Sequence, residues 1–486
     1  MNDFTNFNER IVRDGLAPVI DTMPADLHTP LSVFLKISNG QKNAFLLESV
    51  EGGERLARYS FVGAEPDFVI SSDGNSITHA EPSGQKKVSA SMIDHLRRVL
   101  DKHRMSDTDE LPPFLGGLIG YLGFDCVEWF EPSLRSERPS DSRFMAYSSV
   151  IAFDHVKQVI QLISLVRLSD TTDPQRLFDE AKERNRRLRT ILETTPIQLP
   201  VQSETETNGE VSSNFERKEF ENAVTRGKEY IFAGDCYQVV LSQKFSRPTV
   251  ATDVSIYRAI RSTNPSPYMF LLRFEDRSII GASPEMLVRC TGNRLEYRPI
   301  AGTRRRGKTP QEDAGLAEEM SGDQKEVAEH LMLVDLGRND LGRIAEYGSV
   351  KVDELMKVEK YSHVQHLVSS LSAKLRDGCD RFDALASCFP AGTVSGAPKV
   401  RSVEIIRELE PNDRGIYAGA VGYFDYSGNM DTCIAIRTLV LENGVATIQA
   451  GAGIVADSIP AAEYEETVNK AKALLKAVEI AESGEF

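Results

Sequence analysis

The chain has 486 residues, with 72 acidic against 57 basic side chains and a net charge of −15. Its 41% hydrophobic and 27% charged content belongs to a folded globular protein and excludes wholesale disorder. At ~150 residues per domain the length admits two or three domains or one large composite, while the acidic balance opposes nucleic-acid binding.

From Met1 to about Glu193 the pattern is mostly strand-like. FVGAEPDFVISS, YSSVIAFDHV and KQVIQLISLVRL carry β-branched and aromatic residues between turns. FLGGLIGYLGFD is glycine-rich without GxGxxG, which suits close backbone packing better than phosphate binding. PQRLFDEAKERNRRLRTILE then reads as a charged amphipathic helix. Residues 194–214 are polar and aperiodic, a predicted linker between an N-terminal region, 1–193, and a second region, 215–486.

Beyond that linker, Ser213 and Glu216 form an S-x-x-E signature that predicts a helix running to about Phe232. CYQVVLSQKF, YMFLLRF with RSIIGAS, and EMLVRC with RLEYRPI read as strands joined by tight turns. PQEDAGLAEEM, DQKEVAEHLMLVDLG, APKVRSVEIIREL and the C-terminal PAAEYEETVNKAKALLKAVEIAE read as helices. Hairpin spacing implies largely antiparallel sheet with helices packed on it, an α/β chain of the α+β type.

No apolar run approaches the ~18 residues of a membrane span. MNDFTNFNER has neither the basic nor the apolar part of a secretory signal, so a cytoplasmic location is expected. The six cysteines form no CxxC and no zinc spacing, and read as free thiols of a reducing compartment.

Two nucleotide patterns occur and neither persuades. Gly302 to Thr309, GTRRRGKT, satisfies GxxxxGK[ST], but three bulky arginines suit an amide cradle poorly, and Pro299 and Pro310 interrupt its flanks. Gly451 to Ala456 fits GxGxxA, yet the ~30 residues after it hold one helix and no second strand for a βαβ unit. As an amide nest for a carboxylate, the same GAG remains attractive.

Glu326 and Glu329 share one face at the start of a helix, and Glu463 and Glu466 do the same on the C-terminal helix. Such acids compensate a helix dipole on a solvated face. If the two helices faced each other, the four carboxylates would instead call for a hard cation such as Mg2+, held by one or two of them and a substrate oxyanion. Ser395-Gly396-Ala397-Pro398-Lys399 at a helix start and Arg437 after DTCIAI are candidate anion donors.

The blocks DCYQVVLSQ, GASPEML, RPIAGTRRRG, KEVAEHLMLVDLGRNDLGRI, YSHVQHLVSSL, FPAGTVSGAPKVRSVEII, RGIYAGAVGYFD, CIAIRT and QAGAGIVADSIPAAEYEET resemble the chorismate-utilising enzymes. That resemblance implies a composite layered sandwich, both halves contributing sheet, and a Mg2+ cofactor. It places Glu329 and Glu466 as ligands, with Glu326 and Glu463 beside them. Glu285 becomes the general acid. Tyr417, Arg437 and the amides around Gly451 and Gly453 hold a substrate carboxylate, and Lys470 balances charge. Thr393 and His366 are pocket residues, His366 assisting proton removal, whereas His330 and His363 read as packing or surface residues.

Two positions select a branch. Family members that add water carry lysine at the position of Gln238, and glutamine cannot serve as a base. Some members that aminate C4 carry lysine where this chain has Ala301. Gln238 with Ala301 therefore points to ammonia attacking C2 of chorismate, with loss of pyruvate to give anthranilate; amination at C4 is the alternative, and a noncatalytic tryptophan-responsive sensor a more distant one. LLES, with Glu48 and Ser49, and Asn264-Pro265-Ser266-Pro267-Tyr268-Met269 resemble a tryptophan-feedback signature. The chain lacks a GxCxG nucleophile elbow, so ammonia is expected from a separate glutamine amidotransferase subunit in a hetero-oligomer.

Overall fold

Along the strand Ala44–Glu48, Ala44 and Leu46 enter one apolar core while Phe45 enters another. Tyr268–Arg273 repeats the device, with Met269 and Leu271 on one side and Phe270 and Leu272 on the other. Strands apolar on both faces lose the period-two signal because both faces are covered.

The computed structural model describes residues 3–49, 58–74, 76–101, 105, 111–168, 173–199, 209–361 and 364–485. Among these, the strands form two twelve-stranded sheets, and all their pairings are antiparallel. The first sheet passes from Leu16–Pro24 through Val159–Arg167, Ser149–Asp154, Tyr59–Ala64 and Ala44–Glu48. It continues through Tyr268–Arg273, Arg277–Ser283, Thr438–Glu442, Val445–Ile454 and Gln238–Pro248.

The second sheet runs from Ile300–Arg305 through Val364–Lys374, Arg294–Tyr297, Met286–Thr291, Met430–Ile434 and Ala420–Asp425. Gly117–Leu122, Ser142–Tyr147, Phe68–Asp73, Ser76–Glu81 and Gly84–Val88 follow, and Lys351–Lys360, paired with Val364–Lys374, completes it. Strands from before residue 194 and strands from later in the chain thus each supply one contiguous block of both sheets, the blocks joining where Ala44–Glu48 pairs with Tyr268–Arg273 and where Gly117–Leu122 pairs with Ala420–Asp425. One core lies between the sheets, holding Phe45, Phe61, Ile119, Tyr121 and Phe144. The other lies under the helices Pro30–Ile37, Pro174–Thr194, Asp253–Thr263 and Pro460–Ser483, through Phe34, Leu192, Tyr257 and Val478.

The glycine-rich segment packs as its composition suggests. A Cβ on Gly117 would stand 2.1 Å from the Phe424 carbonyl oxygen, and one on Gly120 1.9 Å from that of Arg143. The predicted helices appear as Pro174–Thr194, Pro310–Gly322, Gln324–Gly342, Lys399–Leu409 and Pro460–Ser483. One start differs. The helix expected from Ser213 is Arg217–Ala233, and Glu216 precedes it without a side-chain cap. Ser213 instead pairs with Phe245 in a short strand, and its hydroxyl donates to Gln243 Oε1 at 2.8 Å and accepts from the Phe215 amide. Of the predicted linker, Thr194 ends a helix and residues 200–208 lie outside the described residues.

The phosphate-loop pattern is consumed by the fold. Its first residues belong to the strand Ile300–Arg305, and its amides meet carboxylates already present. Gly307 donates to Asp313 at 2.9 Å and Lys308 to Glu312 at 2.7 Å, so protein anions fill the place a phosphate would take.

Candidate active site

A cavity of about 460 Å³ opens between the two sheets and the helices Gln324–Gly342 and Pro460–Ser483. Gln238, Glu285, Ala301, Glu329, His366, Thr393, Tyr417, Arg437, Gly451, Gly453, Glu466 and Lys470 all line it. Residues drawn from both sheets and three helices, the third being the short Gly392–Ser395 that carries Thr393, thereby meet around one space.

Glu285 sits in the connection between the strands Arg277–Ser283 and Met286–Thr291. Its backbone is pinned on both sides, the amide donating to Ser283 Oγ and the carbonyl accepting from the Ile434 amide at 3.1 Å. The side chain is buried and its Oε1 has no hydrogen-bond partner. Burial pushes its pKa up to about 8, against a lowering from the neighbouring Thr393 hydroxyl. A carboxyl without a cation beside it is thus held protonated near neutrality, as a proton donor must be.

Arg437 lies between the strands Met430–Ile434 and Thr438–Glu442 rather than at a strand end, with φ at +49°. Its surface faces the cavity and it remains solvent-accessible there, while protein surrounds the rest. That enclosure lowers its pKa, and no carboxylate pairs with it among the described residues. Tyr417 stands across the cavity, buried, its phenol pushed up to about 12 by burial and so a firm proton donor. A cation without a carboxylate partner and a hydroxyl lining the same cavity suit a carboxylate ligand.

His366 is oriented by a carbonyl. Its Nδ1 lies 2.9 Å from the Gly302 oxygen, which can only accept, so Nδ1 carries the proton and Nε2 keeps a free lone pair. Burial lowers its pKa, favouring the neutral form. His330 is fully buried and meets Ser369 Oγ at 2.6 Å, a packing role; His363 lies outside the described residues.

Gly451 and Gly453 do not form the expected nest. Neither has a positive φ, and both lie in the strand Val445–Ile454, opposite Ser242 and Val240. Their glycine character has another cause: a Cβ would fall 2.6 Å from the Tyr417 hydroxyl at Gly451 and 2.5 Å from Gln238 Nε2 at Gly453. The SGAPK segment is not capped by its serine. Ser395 donates to the Ala391 carbonyl instead of capping, and the helix Lys399–Leu409 starts at Pro398 with no side-chain cap.

The paired carboxylates stand at the cavity's acidic end. Burial raises the Glu329 pKa first, with further increments from Glu466 and Glu326 against Lys325 and Lys470. Glu463 is raised by burial and by Glu466, against its bond to Ser458. Lys470 donates to Glu466 at 2.7 Å and to the Gly451 carbonyl at 3.1 Å, and Arg304 pairs with Glu326. Among the described residues no three His, Cys, Asp or Glu side chains enclose a metal. The donor set nevertheless fits a hard cation. It is all oxygen, its members repel one another, Glu326 Oε2 is buried without a partner, and magnesium takes only one or two direct carboxylates.

A second, smaller cavity of about 70 Å³ lies between the sheets, lined by Glu48, Ser49, Pro267, Tyr268 and Met269 with Arg289, Tyr423 and Asp431. The register places Glu48 opposite Met269. Arg261 grips Glu48 through both carboxylate oxygens at 2.9 Å, and Tyr257 adds a bond at 2.7 Å. The Ser49 hydroxyl is buried without a partner. Asn264 departs from this group and lines the larger cavity; Pro265 and Ser266 line neither. The sequence also left Leu333, Asn469 and Leu474 of the larger cavity unnoticed, since their spacing is that of ordinary helix packing.

The chain belongs to the family of chorismate binding enzymes, whose model matches residues 42–476. It is 45% identical to anthranilate synthase component 1 of Acetivibrio thermocellus over 482 residues, covering 97% of each chain. Among solved structures it is similar to anthranilate synthase component I of Streptococcus pneumoniae, with 37% identity, a TM-score of 0.74 and coverage of 87% of this chain and 95% of that one. The menaquinone-specific isochorismate synthase of Escherichia coli shares the fold, with a TM-score of 0.72 at 20% identity and coverage of 98% and 99%.

Proposed function

We propose that the chain is the chorismate-aminating component of an anthranilate synthase. The single observation that carries this reading is the convergence of a buried, protonated Glu285 with the unpaired Arg437 in one cavity of a chorismate binding enzyme. Arg437 and Tyr417 hold the enolpyruvyl carboxylate. Glu285 gives its proton to the C4 hydroxyl, which leaves as water while ammonia bonds to C2. Neutral His366 then accepts the C2 proton through Nε2, and the enolpyruvyl group leaves as pyruvate. Gln238 offers no base to make hydroxide from water, so the nucleophile comes from outside. Glu329 and Glu466 would hold Mg2+, with Glu326 and Glu463 beside them, and a cation held there would supply positive charge for the ring carboxylate.

Purified chain supplied with chorismate, Mg2+ and an ammonium salt is expected to release anthranilate and pyruvate in equal amounts, read by anthranilate fluorescence. Glutamine alone should give no product, since the amidotransferase is a separate subunit. An aminated product retaining its side chain would instead assign the C4 branch. Chelation by EDTA should abolish turnover and excess Mg2+ restore it; turnover indifferent to EDTA would remove the cation from the reading.

The smaller cavity is the proposed tryptophan-feedback site, supported by the meeting of Glu48 and Ser49 with Pro267 to Met269. On this reading residues 215–486 are the catalytic region and residues 1–193 carry part of the regulatory site. A cytoplasmic setting accords with six cysteines that form no disulfide.

A further inference from the structure

Arg414 is one of the largest side chains removed from solvent, at 2% exposure, yet the reaction above makes no use of it. It lies under the cavity floor. Its Nε and Nη2 grip both oxygens of Glu410, at 2.9 and 2.6 Å. Nη2 also donates to the Val240 carbonyl at 2.8 Å, and Nη1 to the Val394 carbonyl at 2.7 Å. The guanidinium lies over the Tyr417 ring at 5.5 Å and over Phe124 at 4.5 Å. Glu410 in turn accepts from the Ser242 amide at 2.7 Å and from its hydroxyl at 2.8 Å, and Gln449 Nε2 donates to that hydroxyl at 2.9 Å.

Val240, Val394, Tyr417 and Gln449 are all walls of the larger cavity. Val240 stands opposite Gly453, and Val394 follows Thr393, which neighbours Glu285. One buried ion pair therefore ties together the strand Gln238–Pro248, the short helix Gly392–Ser395 and the tyrosine that faces the carboxylate. Burying such a pair costs solvation that apolar packing would not, so it is weak as a source of stability. Its planar fork suits registering several fixed carbonyls at once, which a lysine cannot reproduce.

We propose that Arg414, locked to Glu410, is a positioning residue that sets the distance between Tyr417, Val394 and the Gly453 strand, and thereby the fit of the substrate carboxylate. This rests on reading the larger cavity as the chorismate site. Steady-state kinetics of Arg414→Lys in the full chain, with ammonium and Mg2+, test it. The expected result is a chorismate KM raised by about tenfold or more with kcat within about threefold, as a small displacement of a binding wall produces. A merely structural role would remove folded enzyme, lowering kcat and leaving KM alone.

Should Arg414→Lys not fold, Ser242→Ala weakens the same network from its polar end, and a KM raised about threefold is expected. An unchanged KM in folded variants, beside a wild type that turns chorismate over, overturns the proposal alone. A wild type inert towards chorismate overturns the functional reading and this proposal with it.

Discussion

Glu285→Gln is expected to lower kcat for chorismate by ~10²–10⁴ while KM stays nearly constant, because glutamine keeps the shape and loses the transferable proton. In the wild type the same group should govern the alkaline limb of the rate profile. The acid must be protonated to act, and its pKa stands at about 8. Activity therefore holds below that pH and falls tenfold per unit well above it, whereas the variant's residual rate loses that limb.

The same carboxyl has a thermodynamic signature that also falls with rising pH, but over a lower window. Its folded pKa of about 8 lies above the reference of 4.5, so between these values the folded state binds more protons than the unfolded state. Stability then declines as pH rises through that window, and the decline is complete above about 8. Glutamine carries no charge to bury, so the melting temperature of Glu285→Gln relative to wild type should climb from pH 5 to pH 9. A variant with normal turnover, or one whose relative stability ignores pH, would show that Glu285 is not a buried acid.

How far these residues could be found before the fold was known depends on whether their signal is local. Helices such as Pro174–Thr194 and Pro460–Ser483 declare themselves through charge and apolar spacing within one window. The pairing of Ala44–Glu48 with Tyr268–Arg273 does not, because register across distant segments leaves no trace in either. GTRRRGKT is a phosphate loop by pattern, and only the fold reveals Asp313 and Glu312 already on its amides. Glu326, Glu329, Glu463 and Glu466 carried no more than spacing, and the resemblance to a family gave them a role. Arg414 opens the block RGIYAGAVGYFD, yet no local pattern announces that it and Glu410 are buried partners. Gly451 and Gly453 show the converse: the right residues, seen as a nest, are small because Tyr417 and Gln238 press against them.

Arg437→Met should give the largest loss of substrate affinity. The other cation lining the cavity, Lys470, is committed to Glu466, and Arg414 behind the wall is committed to Glu410, while Arg437 has no anionic partner among the described residues. Its guanidinium stays open to the cavity, so the charge is available to an arriving anion. A carboxylate received bidentately by that fork makes a charge-assisted pair, and truncating one partner of such a pair removes ~2–5 kcal/mol. The chorismate KM should accordingly rise ~30-fold to several-thousand-fold, with kcat at saturation falling much less. Arg437→Lys should fall between, since an ammonium restores charge without the fork. Chorismate should then raise the melting temperature of wild type and not of the variant. Equal KM values for the variant and wild type would show that the carboxylate binds elsewhere in the cavity. A loss confined to kcat would instead make Arg437 a participant in the chemical step.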